Sequence, residues 1–385
     1  MKGHLRERPK GSGHWAIVLD VRDPTTGKRK RRWHSFKGTK REAQVRCAQL
    51  IAEAQGRVAV DPSRITVNQF LDRFERDWIA LRVSAASAQR YTTSLSRVRR
   101  HLGDRRLQAL RPADLAGLYA TLVRAGLAPR SVEHIHVVLH RALRQAKLWG
   151  LLRDNPADLE KPPAVNDEEI AILQPDRARE LLDRLRGQPL YLIGSLGLAT
   201  GLRRSEMLAL RWRDVDLDNG RLTVEQALEQ TTAYGVRVKG PKTRKGRRTI
   251  SLSAHTVGEL RGHWRTQQEQ RLALGMGKAP PNSPVLATFD GRLQSPGAIS
   301  TAWGRVMKAI GMPDITLHSL RHTHASMLIA SGMDILTISR RLGHASPTIT
   351  LGTYGHLIHG TDDQAARVMD QAFGSKAVAD SSKRP

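Results

Sequence analysis

Residues 199–206 read Ala199-Thr200-Gly201-Leu202-Arg203-Arg204-Ser205-Glu206. An apolar run from Leu190 to Ala199 stops at a glycine able to take φ > 0, and a second helix starts at once. Such a junction is a rigid corner, and an arginine on it projects in a fixed direction. A glycine-capped helix beside an arginine is common, so the stretch gains meaning only from what lies downstream of it.

Three further stretches follow. Gly240-Pro241-Lys242-Thr243-Arg244-Lys245-Gly246-Arg247-Arg248 lies between two short strand patterns, Val236–Val238 and Thr249–Leu252. Leu317-His318-Ser319-Leu320-Arg321-His322 opens a helix, so His318 and Arg321, three apart, face one pocket. Leu342-Gly343-His344-Ala345-Ser346-Pro347-Thr348 is followed by Thr353-Tyr354-Gly355-His356. His318 and His322, four apart, have the spacing of two zinc ligands, but no glutamate lies between them and no third ligand stands at metal-site spacing. Each stretch alone has a plain reading: a solvated basic hairpin tip, a surface histidine, a packed tyrosine.

Together they suit phosphoryl transfer without a metal. Two guanidinium forks match the equatorial oxygens of a phosphodiester transition state and stay charged at any working pH. A tyrosine hydroxyl, with an ordinary pKa near ~10, attacks at neutral pH only with a base or charge stabilisation. The departing sugar oxygen needs a proton, which a lysine or histidine can give. Arg203, Lys242, His318, Arg321, His344 and Tyr354 fill these roles once each.

Composition points to the same partner. The 385 residues carry 63 Lys+Arg against 36 Asp+Glu, a formal net charge of +27, which is the electrostatic footprint of a polyanion binder. The first 60 residues hold 15 of those cations and 5 of the acids, so the surplus is densest there. One cysteine, Cys47, excludes a disulfide framework and a cysteine-built zinc site and suits a reducing compartment. No apolar run reaches the ~18 residues of a membrane span, and Met1 to Gly13 lacks the apolar core of a signal peptide. A soluble protein of the cytoplasm is expected, with no membrane partner.

The chain reads as multidomain and mainly α, with small β elements. In residues 1–62, Trp15, Ile17, Leu19 and Val21 alternate as a strand, a turn cluster follows at Asp23–Gly27, and Arg32 to Phe36 return as a hairpin. Thr39 is placed to cap a helix over Lys40 to Ala54. Between the strands lies Lys28-Arg29-Lys30-Arg31-Arg32, five consecutive cations suited to DNA contact. Residues 63–164 show four helical segments. One carries the stripe Tyr91, Leu95, Val98, Leu102; one starts at Pro112; one runs from Val132 to Ala146 with Ser131 as its cap. Arg97, Arg99, Arg100, Arg141 and Arg144 read as a solvated face. Residues 165–385 are mainly helical with one short β region, ending in an apolar face of Ala365, Val368, Met369, Ala372 and Phe373.

Five boxes in this order, Thr-Gly-Leu-Arg-x-x-Glu (200–206), Pro-Lys-Thr to Arg-Arg-Thr-Ile (241–250), His-x-Leu-Arg-His (318–322), Leu-Gly-His (342–344) and Thr-Tyr-x-His (353–356), resemble the tyrosine recombinase, or phage integrase, family. The resemblance implies an N-terminal arm-type DNA-binding domain, a helical SAM-like core-binding domain and a mixed α+β catalytic domain. It implies Tyr354 as nucleophile forming a 3′-phosphotyrosyl link, Arg203 and Arg321 as phosphate ligands and Lys242 as the acid for the 5′-oxygen. It further implies His318 in proton transfer with the tyrosine, His344 on a non-bridging oxygen, and Glu206 as support for the arginine corner. Gly246 stands where relatives often carry serine.

The same resemblance implies a homotetramer on double-stranded DNA, with core and arm attachment sites. An excisionase or a host DNA-bending protein is the candidate accessory partner. No cofactor is implied: strand energy is kept in the phosphotyrosyl ester, and the chain holds no GxxxxGK[ST] phosphate loop. A type IB topoisomerase shares this chemistry, and a catalytically inactive DNA-binding regulator is the non-enzyme alternative; the arm-like module and the intact spelling of all six positions favour a site-specific recombinase.

Overall fold

The structure is a computed structural model that describes residues 3–9, 11–22, 29–54, 63–166, 171–240, 246–355 and 361–373. The chain divides into two compact units, Met1–Asp167 and Glu168–Pro385.

The first unit begins with an antiparallel sheet in the order β1 (Gly3–Glu7), β2 (His14–Arg22), β3 (Arg29–Lys37), followed by α1 (Lys40–Ala54). Ile17 and Leu19 of β2 bury against Cys47 and Leu50 of α1. Thr39 does cap α1: its hydroxyl accepts from the Glu42 amide at 3.3 Å, while Glu42 accepts from the Thr39 amide at 2.8 Å. The basic run is expected between the strands, with the second strand starting at Arg32; β3 starts earlier and includes Arg29 to Arg32, paired from Arg29↔Arg22 to Arg32↔Leu19. Backbone pairing with β2 overrides the weak strand preference of cations. Lys28 and the turn cluster lie outside the described residues. Arg31 and Trp33 of β3 are exposed.

The helices of this unit are α2 (Val67–Phe74), a π-helical turn (Glu75–Ile79), α3 (Ala80–Arg82), α4 (Ala85–Leu102), α5 (Pro112–Arg124) and α6 (Pro129–Leu148). Their core joins Phe70 and Phe74 to Leu95, Val98, Leu115, Ile135 and Leu139. α6 starts three residues before the expected Val132, with Ala128 and not Ser131 at its N-cap, because Pro129 at its first position has φ preset and no N–H to satisfy. Two arginines of the presumed solvated face are engaged. Arg99 pairs with Asp72 at 2.8 Å and Glu75 at 3.3 Å, and Arg141 donates to the Tyr91 hydroxyl at 2.7 Å.

The second unit runs α7 (Pro175–Leu185), α8 (Tyr191–Thr200), α9 (Arg204–Met207), β4 (Val215–Asp216), β5 (Arg221–Val224), β6 (Ala227–Thr231), β7 (Gly235–Lys239), β8 (Arg248–Ser251), α10 (Ala254–Ala273), α11 (Pro296–Ala309), α12 (Leu317–Ala330), α13 (Ile335–Leu342), α14 (Pro347–Tyr354) and α15 (Thr361–Phe373). The strands form an antiparallel β4-β5-β8 sheet and a β6-β7 hairpin. α8 is apolar nearly all round, so it lies inside: Ile193 and Leu196 share a core with Leu181, Leu185, Trp303 and Leu320. A smaller cluster, Ala325, Ile338, Leu342 and Tyr354, joins α12, α13 and α14. On α15, Val368, Met369 and Phe373 are exposed. No helix among the described residues is long and apolar enough to cross a membrane.

Candidate active site

Two positive-φ glycines shape the site. Gly201 ends α8 at φ 64°, and Gly343 ends α13 at φ 65°. A Cβ on Gly201 would lie 2.7 Å from Cδ2 of His324, and one on Gly343 2.8 Å from Nη1 of Arg248, so neither position has room for a side chain. Each turn supplies carbonyls to an arginine. Arg321, 2% exposed, donates from Nη1 to Gly201 O and from Nη2 to Leu342 O, both at 2.7 Å. Arg203 donates from Nη2 to Gly343 O at 3.2 Å. The first, third and fourth boxes, far apart in sequence, are thereby tied at one place.

Arg203 is the N-cap residue of α9, and Glu206 three residues on accepts from its amide at 3.0 Å and from its Nη1 at 2.7 Å. Oε2 of Glu206, which accepts the Arg203 amide, also takes Nη2 of Arg248 at 2.8 Å, with both side chains almost fully buried. Burial alone would raise the Glu206 carboxyl; the hydrogen bond and charge of Arg248, with the charge of Arg203, outweigh it and hold the group below its usual range. Arg248 also donates to Arg341 O at 2.6 Å and Gly246 O at 3.1 Å. Arg341 in turn donates to Nε2 of His324 at 3.0 Å and to Ala199 O at 3.1 Å, while His324 Nδ1 donates to Leu198 O at 2.7 Å.

Thr316 caps α12, accepting from the Ser319 amide at 3.1 Å, which sets His318, Arg321 and His322 on the first two turns. The His318 and His322 rings meet edge to face, centroids 4.5 Å apart. Tyr354, the last residue of α14, is 1% exposed, and its hydroxyl lies 2.6 Å from Nδ1 of His322. His344 Nδ1 is 2.8 Å from the Thr350 hydroxyl.

The electrostatics are those of an anion site. Burial, then the charges of neighbouring arginines and the other histidines, push His322 and His344 down to about 4 and lower His318, so all three imidazoles are neutral at pH 7. Burial pushes Arg321 down to about 9, which leaves it cationic. Burial pushes the Tyr354 phenol up to about 12, against the pull of Arg321. Fixed cations surrounded by neutral, desolvated groups form a preorganised receptor for a phosphodiester.

Of the residues expected from sequence, Arg203, His318, Arg321, His344 and Tyr354 all belong to this one unit and meet through the contacts above. Lys242 lies outside the described residues. Sequence reasoning missed Arg248 as a partner of Glu206, although it stands in the quoted Arg-Arg-Thr-Ile box, and it met His322 only as a zinc candidate. Among the described residues no group of three or more His, Cys, Asp or Glu is placed to hold a metal ion.

The chain has the fold of DNA integrases. An integrase of the Tn1549 transposon, solved with transposon right end DNA, superposes with a TM-score of 0.66 at 21% identity, over 81% of this chain and 100% of that one. A lambda integrase, solved as a tetramer bound to a Holliday junction, gives 0.55 at 22% identity, over 90% and 97%. Residues 172–359 match the phage integrase family, and the chain is a tyrosine recombinase of that family, a site-specific DNA recombinase. Similar chains include a XerC-like tyrosine recombinase of Caldanaerobacter subterraneus subsp. tengcongensis, 22% identical over 94% of this chain and 97% of the relative. An integrase of Streptomyces ambofaciens is 27% identical over 93% of each.

Proposed function

We propose that Tyr354 attacks the scissile phosphate, forming a 3′-phosphotyrosyl link and releasing a 5′-hydroxyl, while Arg203 and Arg321 hold the phosphate. The observation that carries this reading is the Arg321 guanidinium, buried and fixed by two backbone carbonyls in the pocket where Tyr354 is buried. Each of its terminal nitrogens donates one N–H to a carbonyl and retains another for a phosphate oxygen. Arg203 keeps its outer edge more open, at 37% exposure, and Glu206 with Arg248 sets its angle. His344 donates from Nε2 to a non-bridging oxygen, since its Nδ1 faces Thr350. Lys242 protonates the leaving 5′-oxygen, and His318 borders the tyrosine.

In this reading residues 1–62 form the arm-type DNA-binding domain, and Arg31 and Trp33 support it as an exposed cation beside an exposed aromatic ring on β3. Lys28, Arg29, Lys30 and Arg32 extend the same basic run. Residues 63–164 clasp the core site, and residues 165–385 cut and rejoin it. Four protomers act on two duplexes in the bacterial cytoplasm, and the exposed apolar face of α15 suits packing between them. An excisionase or a host bending protein sets direction.

A suicide duplex nicked beside the cleavage site, built from the DNA junctions of the encoding element, tests the reading. An SDS-resistant protein–DNA adduct forms in EDTA with the native chain and is absent with Tyr354→Phe. An adduct abolished by EDTA, or one surviving in Tyr354→Phe, would contradict it.

A further inference from the structure

The function above leaves one contact unused. The Tyr354 hydroxyl meets Nδ1 of His322, while the resemblance assigns proton transfer to His318, one turn earlier on α12. We propose that His322 takes the phenolic proton from Tyr354 as the oxygen attacks phosphorus, and returns it when the strand is rejoined. This rests on the reading of Tyr354 as nucleophile.

The phenol oxygen and the imidazole nitrogen lie 2.6 Å apart, with ring centroids at 5.5 Å, and in the tautomer of His322 protonated on Nε2 the phenol donates to Nδ1. His322 can accept because it is neutral; burial, with His318 and Arg321, holds it at about 4. The proposed role uses the tautomer with the lone pair on Nδ1 and the proton on Nε2.

The groups facing His322 are His318 and Arg321 on its own helix, Tyr354 from α14 and His344 from the turn after α13. Only Arg321 is a permanent charge, and it disfavours a second cation beside it. A bound phosphodiester offsets that charge and raises the proton affinity of His322, so the base strengthens when DNA arrives. In the step, a lone pair of the Tyr354 oxygen forms the O–P bond and the P–O5′ bond breaks. The phenolic proton goes to His322 Nδ1, and the leaving O5′ receives its proton from a different group. Reversal restores both.

His322→Asn separates position from proton transfer: its amide oxygen falls near the place of Nδ1 and accepts the hydrogen bond without retaining a proton. Single-turnover adduct formation is measured for the full chain on the nicked suicide duplex from about pH 6 to about pH 9. We expect the native rate to exceed the variant rate by about 10²-fold at the acid end, and that ratio to fall about tenfold per pH unit as solvent hydroxide replaces the base. A fluorotyrosine of lower phenol pKa at position 354 should rescue His322→Asn more than the native chain. Duplex binding by the variant, measured in parallel, reports its folding, and His322→Gln serves as a second variant should Asn fail that control. A variant equal to the native chain, or one slowed by the same factor at every pH, overturns the proposal. The two readings fail separately: an adduct persisting in Tyr354→Phe defeats the nucleophile assignment, whereas its loss there with an unaffected His322→Asn defeats only the role of His322.

Discussion

Replacing Arg248 by methionine keeps the aliphatic stem and removes the guanidinium that braces Glu206. The native pair is 2.8 Å apart, with side chains 6% and 4% exposed. Removing one partner of a buried ion pair costs about 3–5 kcal/mol, because the remaining charge is left desolvated. Glu206 retains Arg203 at 2.7 Å, so the lower end applies, about 3 kcal/mol. For a unit of this size that is a fall of about 6–12 °C in Tm. The pH dependence carries a sign. Glu206 titrates below its usual range in the native fold, so its contribution is full above the ordinary carboxyl pKa and fades as pH falls. The variant loses most of that contribution, so native and variant should differ most at pH 7 and converge only as pH falls below the ordinary carboxyl range, through the lowered pKa of Glu206. Calorimetry of the full chain measures the loss, and hydrogen exchange in α8 assigns the transition to the second unit. A loss under about 1 kcal/mol, or a difference independent of pH, would refute the brace.

Gly201→Ala forces an L side chain into φ 64° and against His324, and should destabilise the unit by about 1–3 kcal/mol while displacing the carbonyl that holds Arg321, seen as a lower denaturation midpoint and slower adduct formation. Arg321→Ala should slow cleavage by about 10²–10³-fold while changing duplex affinity far less, since one phosphate contact among many contributes little to binding; equal losses in gel-shift and cleavage assays would contradict a transition-state role. Deleting residues 1–60 should flatten the salt dependence of binding to long attachment DNA and leave core-site cleavage intact, and unchanged slopes would remove the arm-binding role.

Much of this was legible in the chain before any coordinates. The apolar stripe of α4, the proline opening α5 and the Thr39 cap are local signals, and local physics produced the elements they announce. The glycine at 201 announced a left-handed cap for the same reason. β1 was invisible: Gly-His-Leu-Arg-Glu has one apolar residue and becomes a strand only because β2 offers its backbone. β6 was hidden by Glu229, a buried carboxylate that is neutralised by Arg237 at 2.7 Å and by Lys239. In the site, residue types and order announced the arginines, the histidines and the tyrosine. Their partners did not show, because Arg248 reaches Glu206 across 42 residues and His322 reaches Tyr354 across 32. Pairings over such distances are set by packing of α8, α12 and α14 rather than by any spacing in the chain.

The central claim is chemical, and mass spectrometry reads it. The adduct from the suicide duplex is digested with nuclease and protease, and the peptide still bearing a nucleotide is sequenced. The account predicts a nucleotide joined through phosphate to the oxygen of Tyr354. A nucleotide found on any other residue, or none recovered from an active preparation, would contradict it.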